Sequence, residues 1–170
     1  MLLNIQQAQF NEGKPVDIDL QVPIEDEIVS FRGYTFVEPV LLKGSMIYEF
    51  ETLKITALVQ AKLNVACDAC GEPFVYDVQF DLEETFVRNL DEFNNYYELG
   101  SNTVEISKPL IDNLLVSLPS RLMCKPDCKG LCRHCGRNLN DYQCNCEDIQ
   151  AELEKQNNPF YKLKNLDKNN

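Results

Sequence analysis

The chain has 170 residues, 44% hydrophobic and 25% charged, with a formal net charge of −11. That fits one domain, or one domain with an appendage, with enough apolar material for its own core. The charge argues against a surface that grips phosphate backbones throughout, and the short apolar runs leave no room for a membrane-spanning helix.

Val16, Ile18, Leu20 and Val22 alternate with Asp17, Asp19 and Gln21, the pattern of a half-buried strand, closed by Pro23 and a Glu-Asp-Glu run. Val29, Phe31 and Gly33 point to a second short strand. A turn at Lys43-Gly44-Ser45 is expected to lead into a strand with Met46, Tyr48 and Phe50. Leu53, Ile55, Ala57, Val59, Ala61, Leu63 and Val65 then form the longest period-2 run, which Leu58 interrupts, so a bend or bulge is expected there. Phe74, Tyr76, Val78, Phe80, Leu82 and Phe86 form a second such run, with acidic residues such as Glu83 and Glu84 read as solvated surface. The two runs flank Cys67-Asp-Ala-Cys70-Gly-Glu-Pro and predict a β-hairpin with a cysteine knuckle at its tip.

Residues 88–102 are acidic and Asn-rich and read as a loop. Ser107 suits a helix N-cap, Pro109 is tolerated in the first turn, and Ile111, Leu114, Leu115 and Leu118 form one apolar stripe that Pro119 ends. Short helices are expected from Glu147 to Lys155 and from Asn158-Pro159 onward, with Asp167 to Asn170 as a frayed tail. The expected fold is α+β, mainly β. A β-meander or barrel-like body with a closing helix spans residues 1–120, and a zinc-binding cysteine tail spans 121–170.

Six of the eight cysteines fall between Cys124 and Cys146. The opening segment, Met1-Leu-Leu-Asn-Ile, lacks the basic and long apolar stretches of a secretory signal, so a reducing cytoplasm is expected. There, close cysteine pairs are more often metal ligands than disulfides. Cys132-x-x-Cys135-Gly is a zinc-knuckle pattern: the two-residue gap lets both sulfurs reach one metal, and the glycine supplies a positive φ. With Cys144 and Cys146 a short loop away, these four make one self-contained site. Cys67, Cys70, Cys124 and Cys128 are the economical second set, although Cys124 or Cys128 could exchange roles with Cys132. Two such Zn²⁺ sites would add about 4 negative charges, since each sets four thiolates against one dication.

His134, the one histidine, lies between Cys132 and Cys135, where it could ligate, but four sulfurs already complete the site. Arg121, Lys125, Lys129, Arg133 and Arg137 concentrate positive charge along the same segment. They can compensate thiolate charge, contact phosphate, or do both. No aromatic interleaves them to support base stacking, so sequence-specific single-strand reading is not indicated. With one histidine, held in a knuckle, a hydrolase or nuclease lacks a credible base.

The segments Cys67-Asp-Ala-Cys70-Gly-Glu-Pro-Phe74 and Gly130-Leu-Cys132-Arg-His-Cys135-Gly136-Arg-Asn138-Leu139-Asn140, followed by Cys144-x-Cys146, resemble the YceD family of large ribosomal RNA subunit accumulation proteins. The resemblance implies a bacterial or plastid cytosolic protein needed for 23S rRNA processing or accumulation, and it brings no catalytic residues. Some members of that family keep the upstream pair and lose most of the tail, which implies separable sites.

The expected function is therefore a non-enzymatic zinc-binding factor for large-subunit biogenesis. Its expected partners are 23S rRNA or its precursor, a basic ribosomal protein, or both, with no membrane and no small-molecule substrate. The alternative is a zinc-dependent thiol redox switch or redox-regulated chaperone, in which oxidation ejects the metal.

Overall fold

The computed structural model of the chain describes residues 1–24, 33–88, 96–146, 149 and 153. Two compact units emerge: residues Met1–Ala66 with Pro73–Leu122, and residues Cys67–Glu72 with Met123–Asn170. The second unit thus combines a short insert from the middle of the chain with its C-terminal part.

The first unit is built on strands. β1 (Leu2–Asn4) and α1 (Gln6–Phe10) precede β2 (Val16–Val22), β3 (Thr35–Phe36), β4 (Val40–Glu49), β5 (Thr52–Ala66) and β6 (Pro73–Val87). β7 (Tyr97–Glu98), β8 (Thr103–Glu105) and α2 (Ser107–Ser117) follow. The main sheet runs β2-β4-β5-β6-β7, with β3 pairing β5 beyond the end of β4, while β1 and β8 form a separate antiparallel pair. Among the described residues the sheet stays open. A meander is present in β4-β5-β6, but the barrel-like closure expected from the sequence is not. The outermost strands, β2 and the two-residue β7, do not pair with each other, so the ladder has two ends.

β5 and β6 dominate. Their register is continuous from Thr52↔Val87 to Ala66↔Pro73. Along β5 every second residue from Leu53 to Val65 is buried, and Leu53, Ile55, Val59 and Leu63 are almost fully enclosed. Burying a side chain of this size stabilises by about 1.5–3 kcal/mol, so this strand contributes a large share of the core. No bulge occurs at Leu58. It pairs with Lys43 and Asp81 in unbroken register and is the large apolar residue on the exposed face, which is why the pattern looked interrupted.

The turn expected at Lys43-Gly44-Ser45 is also displaced. Those residues lie inside β4, and the chain reverses at Phe50-Glu51, both with positive φ (49° and 57°), between Glu49 and Thr52. A two-residue hairpin loop needs such φ values to match strand twist. Gly44 is required for closeness instead: a Cβ there would sit 2.1 Å from the Thr56 carbonyl oxygen.

The buried face gathers Ile5, Ala8, Leu42, Ile55, Phe86, Leu110 and Leu114 into one cluster. Ser107 opens α2 as its first residue, with Ile106 in the cap position and no side-chain cap bond. α2 stops where Leu118 turns extended, as a residue before proline must. Glu84 is not free surface: half-buried between Leu82 and Phe86, it accepts a hydrogen bond from the Asn113 amide. Its neighbour Glu83 does face solvent, paired with Lys54 at 2.8 Å. Part of the expected 88–102 loop is ordered as β7. The strand expected at Val29 and Phe31, and the helices and tail expected after Cys146, lie outside the described residues, apart from Ile149 and Leu153.

Candidate metal centre

All eight cysteines are free thiols. In the second unit they form two quartets, Cys67, Cys70, Cys124 and Cys128, and Cys132, Cys135, Cys144 and Cys146. Within each quartet the four sulfurs lie within 4.8 Å of one another. In the first, Cys67–Cys128 and Cys70–Cys124 are each 3.8 Å apart. Four sulfurs placed about 2.3 Å from a shared centre stand roughly 3.8 Å apart at the corners of a tetrahedron. Disulfide sulfurs are only about 2.05 Å apart. Either quartet could therefore hold a metal ion, and the spacing suits a tetrahedral ion that accepts thiolates.

Local backbone geometry explains the spacing. In the first knuckle the Cys67 N–H donates to the Glu72 carbonyl at 2.9 Å and the Gly71 N–H to the Cys67 carbonyl at 2.8 Å. In the second, the Cys132 N–H donates to the Arg137 carbonyl at 2.8 Å and the Gly136 N–H to the Cys132 carbonyl at 2.9 Å. Gly71 and Gly136 share a positive φ, 76° and 70°. These bonds fold the chain so that the N–H groups between the two cysteines point at the first sulfur. The role read for Gly136 from the sequence holds, and Gly71 repeats it.

The sulfurs respond to this environment. Burial pushes the Cys67 thiol up, but the N–H groups of Cys124, Cys70 and Ala69 outweigh it and bring it down to about 6. The N–H groups of Cys135 and His134 bring Cys132 down to about 6 as well. The Asn140 amide, then the Gly130 N–H, lower Cys128. Conversely, burial and neighbouring sulfurs push Cys124 up to about 12, and the hydrogen-bonded sulfur of Cys135 drives Cys146 up to about 12. Cys70 and Cys144 are also raised, since burial and adjacent sulfurs outweigh the N–H groups of Glu72 and Cys146. Each quartet thus places thiolate on its knuckle's first cysteine and retains protons on others, which a cation would displace.

The sequence did not single out the support around the first quartet. The Asn140 amide donates to the Cys128 sulfur at 3.3 Å, while its oxygen accepts from the Lys129 N–H at 3.0 Å. Asn138 in turn accepts from the Asn140 N–H and amide, at 3.0 and 2.8 Å. Leu131 pairs with Asn138, and the Leu139 N–H donates to the Gly130 carbonyl at 2.8 Å, so a tiny ribbon runs between the quartets. The Leu131 N–H reaches the Ala69 carbonyl at 3.1 Å, and a Cβ at Gly130 would lie 3.0 Å from that same oxygen. A signal existed in Asn138-x-Asn140, because donors that orient ligands commonly sit beside them.

Lys125, Lys129, Arg133 and Arg137 are exposed on this unit, as is His134, which belongs to neither quartet. Arg121 is exposed but belongs to the first unit. Arg137 lies over the ring of Tyr142, 4.6 Å from its centroid. An aromatic therefore does accompany the cations, contrary to the linear reading, because the chain folds back after Asn140.

Fold and site define a strand-rich protein carrying two tetrathiol sites, one of them spanning a hairpin tip and a distant segment. The model of the family described as large ribosomal RNA subunit accumulation protein YceD matches residues 55–167, and the chain belongs to that family. Uncharacterised proteins of Mycobacterium tuberculosis and Mycobacterium bovis are each 34% identical to it over 92 residues, covering 51% of this chain and 44% of theirs. The chloroplastic large ribosomal RNA subunit accumulation protein YCED homolog 1 of Arabidopsis thaliana is 22% identical over 147 residues, covering 68% of this chain and 46% of its own. The chain thus spans about half the length of the curated relatives it matches. No solved structure matches it significantly. No helix among the described residues is long and apolar enough to cross a membrane.

Proposed function

We propose that this chain is a non-enzymatic, zinc-binding cytoplasmic factor that supports 23S rRNA accumulation and large-subunit assembly. The observation that carries the reading is the pair of tetrathiol quartets in a member of a family named for large-subunit rRNA accumulation. Zn²⁺ is the ion whose structural sites take four thiolates tetrahedrally, and it brings no redox chemistry of its own. In this reading the metal holds the cysteine unit rigid. Lys125, Lys129, Arg133 and Arg137 on that unit then meet rRNA or its precursor, and Arg121, on the other unit, is a separate candidate contact. The acidic remainder of the chain favours a basic ribosomal protein as an additional partner.

The test is a strain lacking the protein. The ratio of mature 23S to 16S rRNA is expected to fall and 23S precursors to accumulate. The native chain should restore both, and a chain with Cys132→Ser and Cys144→Ser should not. An unchanged rRNA ratio in the deletion strain would sink the proposal.

One observation favours a second reading, a redox-released zinc switch: Cys135 is exposed while Cys67 and Cys70 are buried. Mild peroxide would then release metal from the second quartet first, with reversible gain of holdase activity. Retention of both metal ions under peroxide eliminates it.

A further inference from the structure

Arg137 and Tyr142 are five residues apart in sequence, yet the guanidinium lies 4.6 Å from the ring centroid. The loop places them there: the Cys132 N–H bonds the Arg137 carbonyl at 2.8 Å, and the Tyr142 N–H bonds the Asn138 carbonyl at 3.1 Å. A ring that only buttressed the loop would be enclosed by it, whereas Tyr142 keeps 50% of its surface exposed. Exposed cations precede it in sequence: Lys129 before the knuckle, Arg133 within it, Arg137 at its end. A flat, accessible π-surface with a guanidinium over it, in a segment where Lys129, Arg133 and Arg137 outnumber the one acid, Asp141, is what unpaired nucleotides bind. Bases stack on tyrosine and arginine planes while cations track the phosphates. A duplex keeps its bases stacked on one another and offers only phosphates and groove edges.

We propose that Tyr142, stacked on Arg137, is a platform for an unpaired nucleobase of single-stranded RNA, with Arg133 contacting the adjoining phosphates. This inference rests on the RNA reading above and specifies its ligand. Recognition is sequence-tolerant, because every base has a π-face and no base-edge reader is required.

The chain contains no tryptophan, so Tyr142→Trp installs a single fluorescent reporter at the platform. The full-length, metal-loaded protein is titrated with fluorescein-labelled 12-nucleotide oligo(U) and with an oligo(U)·oligo(A) duplex of equal length. The single strand is expected to bind more tightly than the duplex and to quench the indole emission of the Tyr142→Trp variant. Tyr142→Ala should weaken single-strand binding roughly 5- to 150-fold, the range for one stacked base, while Tyr142→Phe keeps it. Arg133→Ala should instead lower the salt dependence by about 0.7 in log–log slope, one phosphate contact fewer.

Metal content verifies that each variant is folded. If Tyr142→Ala loses metal, the ring-preserving Tyr142→Phe and Tyr142→Trp variants carry the test through affinity and the quench. Equal affinity of Tyr142→Ala and native protein, or single-strand binding without quenching, overturns the platform and leaves phosphate contacts alone. So does binding to basic ribosomal proteins with none to RNA. Complementation separates the two proposals. If Tyr142→Ala restores 23S rRNA as well as the native chain, the platform fails and the assembly role stands. If the deletion has no rRNA phenotype, the assembly role fails.

Discussion

The first and second knuckles fold the same way and differ in everything around the fold. Both close with an N–H from the first cysteine to the carbonyl five residues on, and both have a left-handed glycine after the second cysteine. Around the first, the variable positions are Asp68, Ala69 and Glu72; around the second they are Arg133, His134 and Arg137. Cys67 and Cys70 are buried at 3% and 5% exposure, whereas Cys135 is open to solvent. The quartets also close loops of different kinds. The first joins Cys67 and Cys70 to cysteines about 60 residues downstream, whereas the second stays between Cys132 and Cys146. Metal binding demands the cysteines and glycine and leaves the positions between them free. One copy of the turn can therefore be an acidic, structural cross-link while the other is a basic, accessible surface.

The largest test of this contrast is Cys67→Ser against Cys144→Ser. Native mass spectrometry should show two zinc ions per chain, falling to one in each variant. Treated as a cross-link, a loop of about 60 residues is worth roughly 4 kcal/mol and one of about 15 residues roughly 3 kcal/mol. Cys67→Ser should therefore lower the thermal midpoint of the whole chain, whereas Cys144→Ser should loosen only the cysteine unit. Equal and global losses would erase the distinction between the sites.

Acid should act on both quartets alike. Protonated thiols do not bind metal, so affinity falls as pH falls. Near neutral pH the thiols held near 6, Cys67 and Cys132, are already thiolates, while the raised ones, Cys70 with Cys124 and Cys144 with Cys146, still carry protons. At least two protons per site must leave, so zinc affinity should drop by about two decades or more per pH unit. Competition with a chromogenic chelator between pH 6 and 8 measures it. A slope near zero contradicts the retained protons.

Asn140→Ala is next. It removes the donor to Cys128 and should weaken the first site about 10- to 100-fold, leaving the second unchanged. Chelator titration of the two sites in turn resolves this, and parallel weakening of both would mean that the ribbon between them couples them. The smallest effect is expected from Gly71→Ala and Gly136→Ala. A Cβ meets nothing within 4 Å at either position, so only the left-handed φ is strained, costing about 1 kcal/mol in each knuckle. Chemical denaturation should give matching losses; a much larger loss at one glycine would mean that the turns are not equivalent.

The linear pattern carried the hairpin and its cysteines far. Alternation from Leu53 to Val65 and from Phe74 to Phe86 located β5 and β6 because a sheet with one buried face imposes a period of two directly on the chain. The spacing of Cys132 and Cys135 located a knuckle because its ligands are neighbours. Some features resting on contact between distant residues were misread. Leu58 looked like a break because its exposure depends on the face it occupies, and Gly44 looked like a turn because its close approach to Thr56 cannot be seen along the chain. The open sheet likewise depends on which strands find partners.

The sequence by itself determined that this chain builds a long cysteine-tipped hairpin, a helix ending before Pro119, and thiol pairs spaced for a soft metal. Those are local matters, set by side-chain period, proline sterics and the reach of two sulfurs across a tight turn. Tertiary structure decided that Cys124 and Cys128 join Cys67 and Cys70, where spacing had left an exchange with Cys132 open, that Asn140 donates to one of their sulfurs, and that Tyr142 returns to lie under Arg137. The physical reason is the same in all three. Each arrangement depends on where a loop closes in space, and the free energy that closes it comes from groups that linear spacing does not bring together.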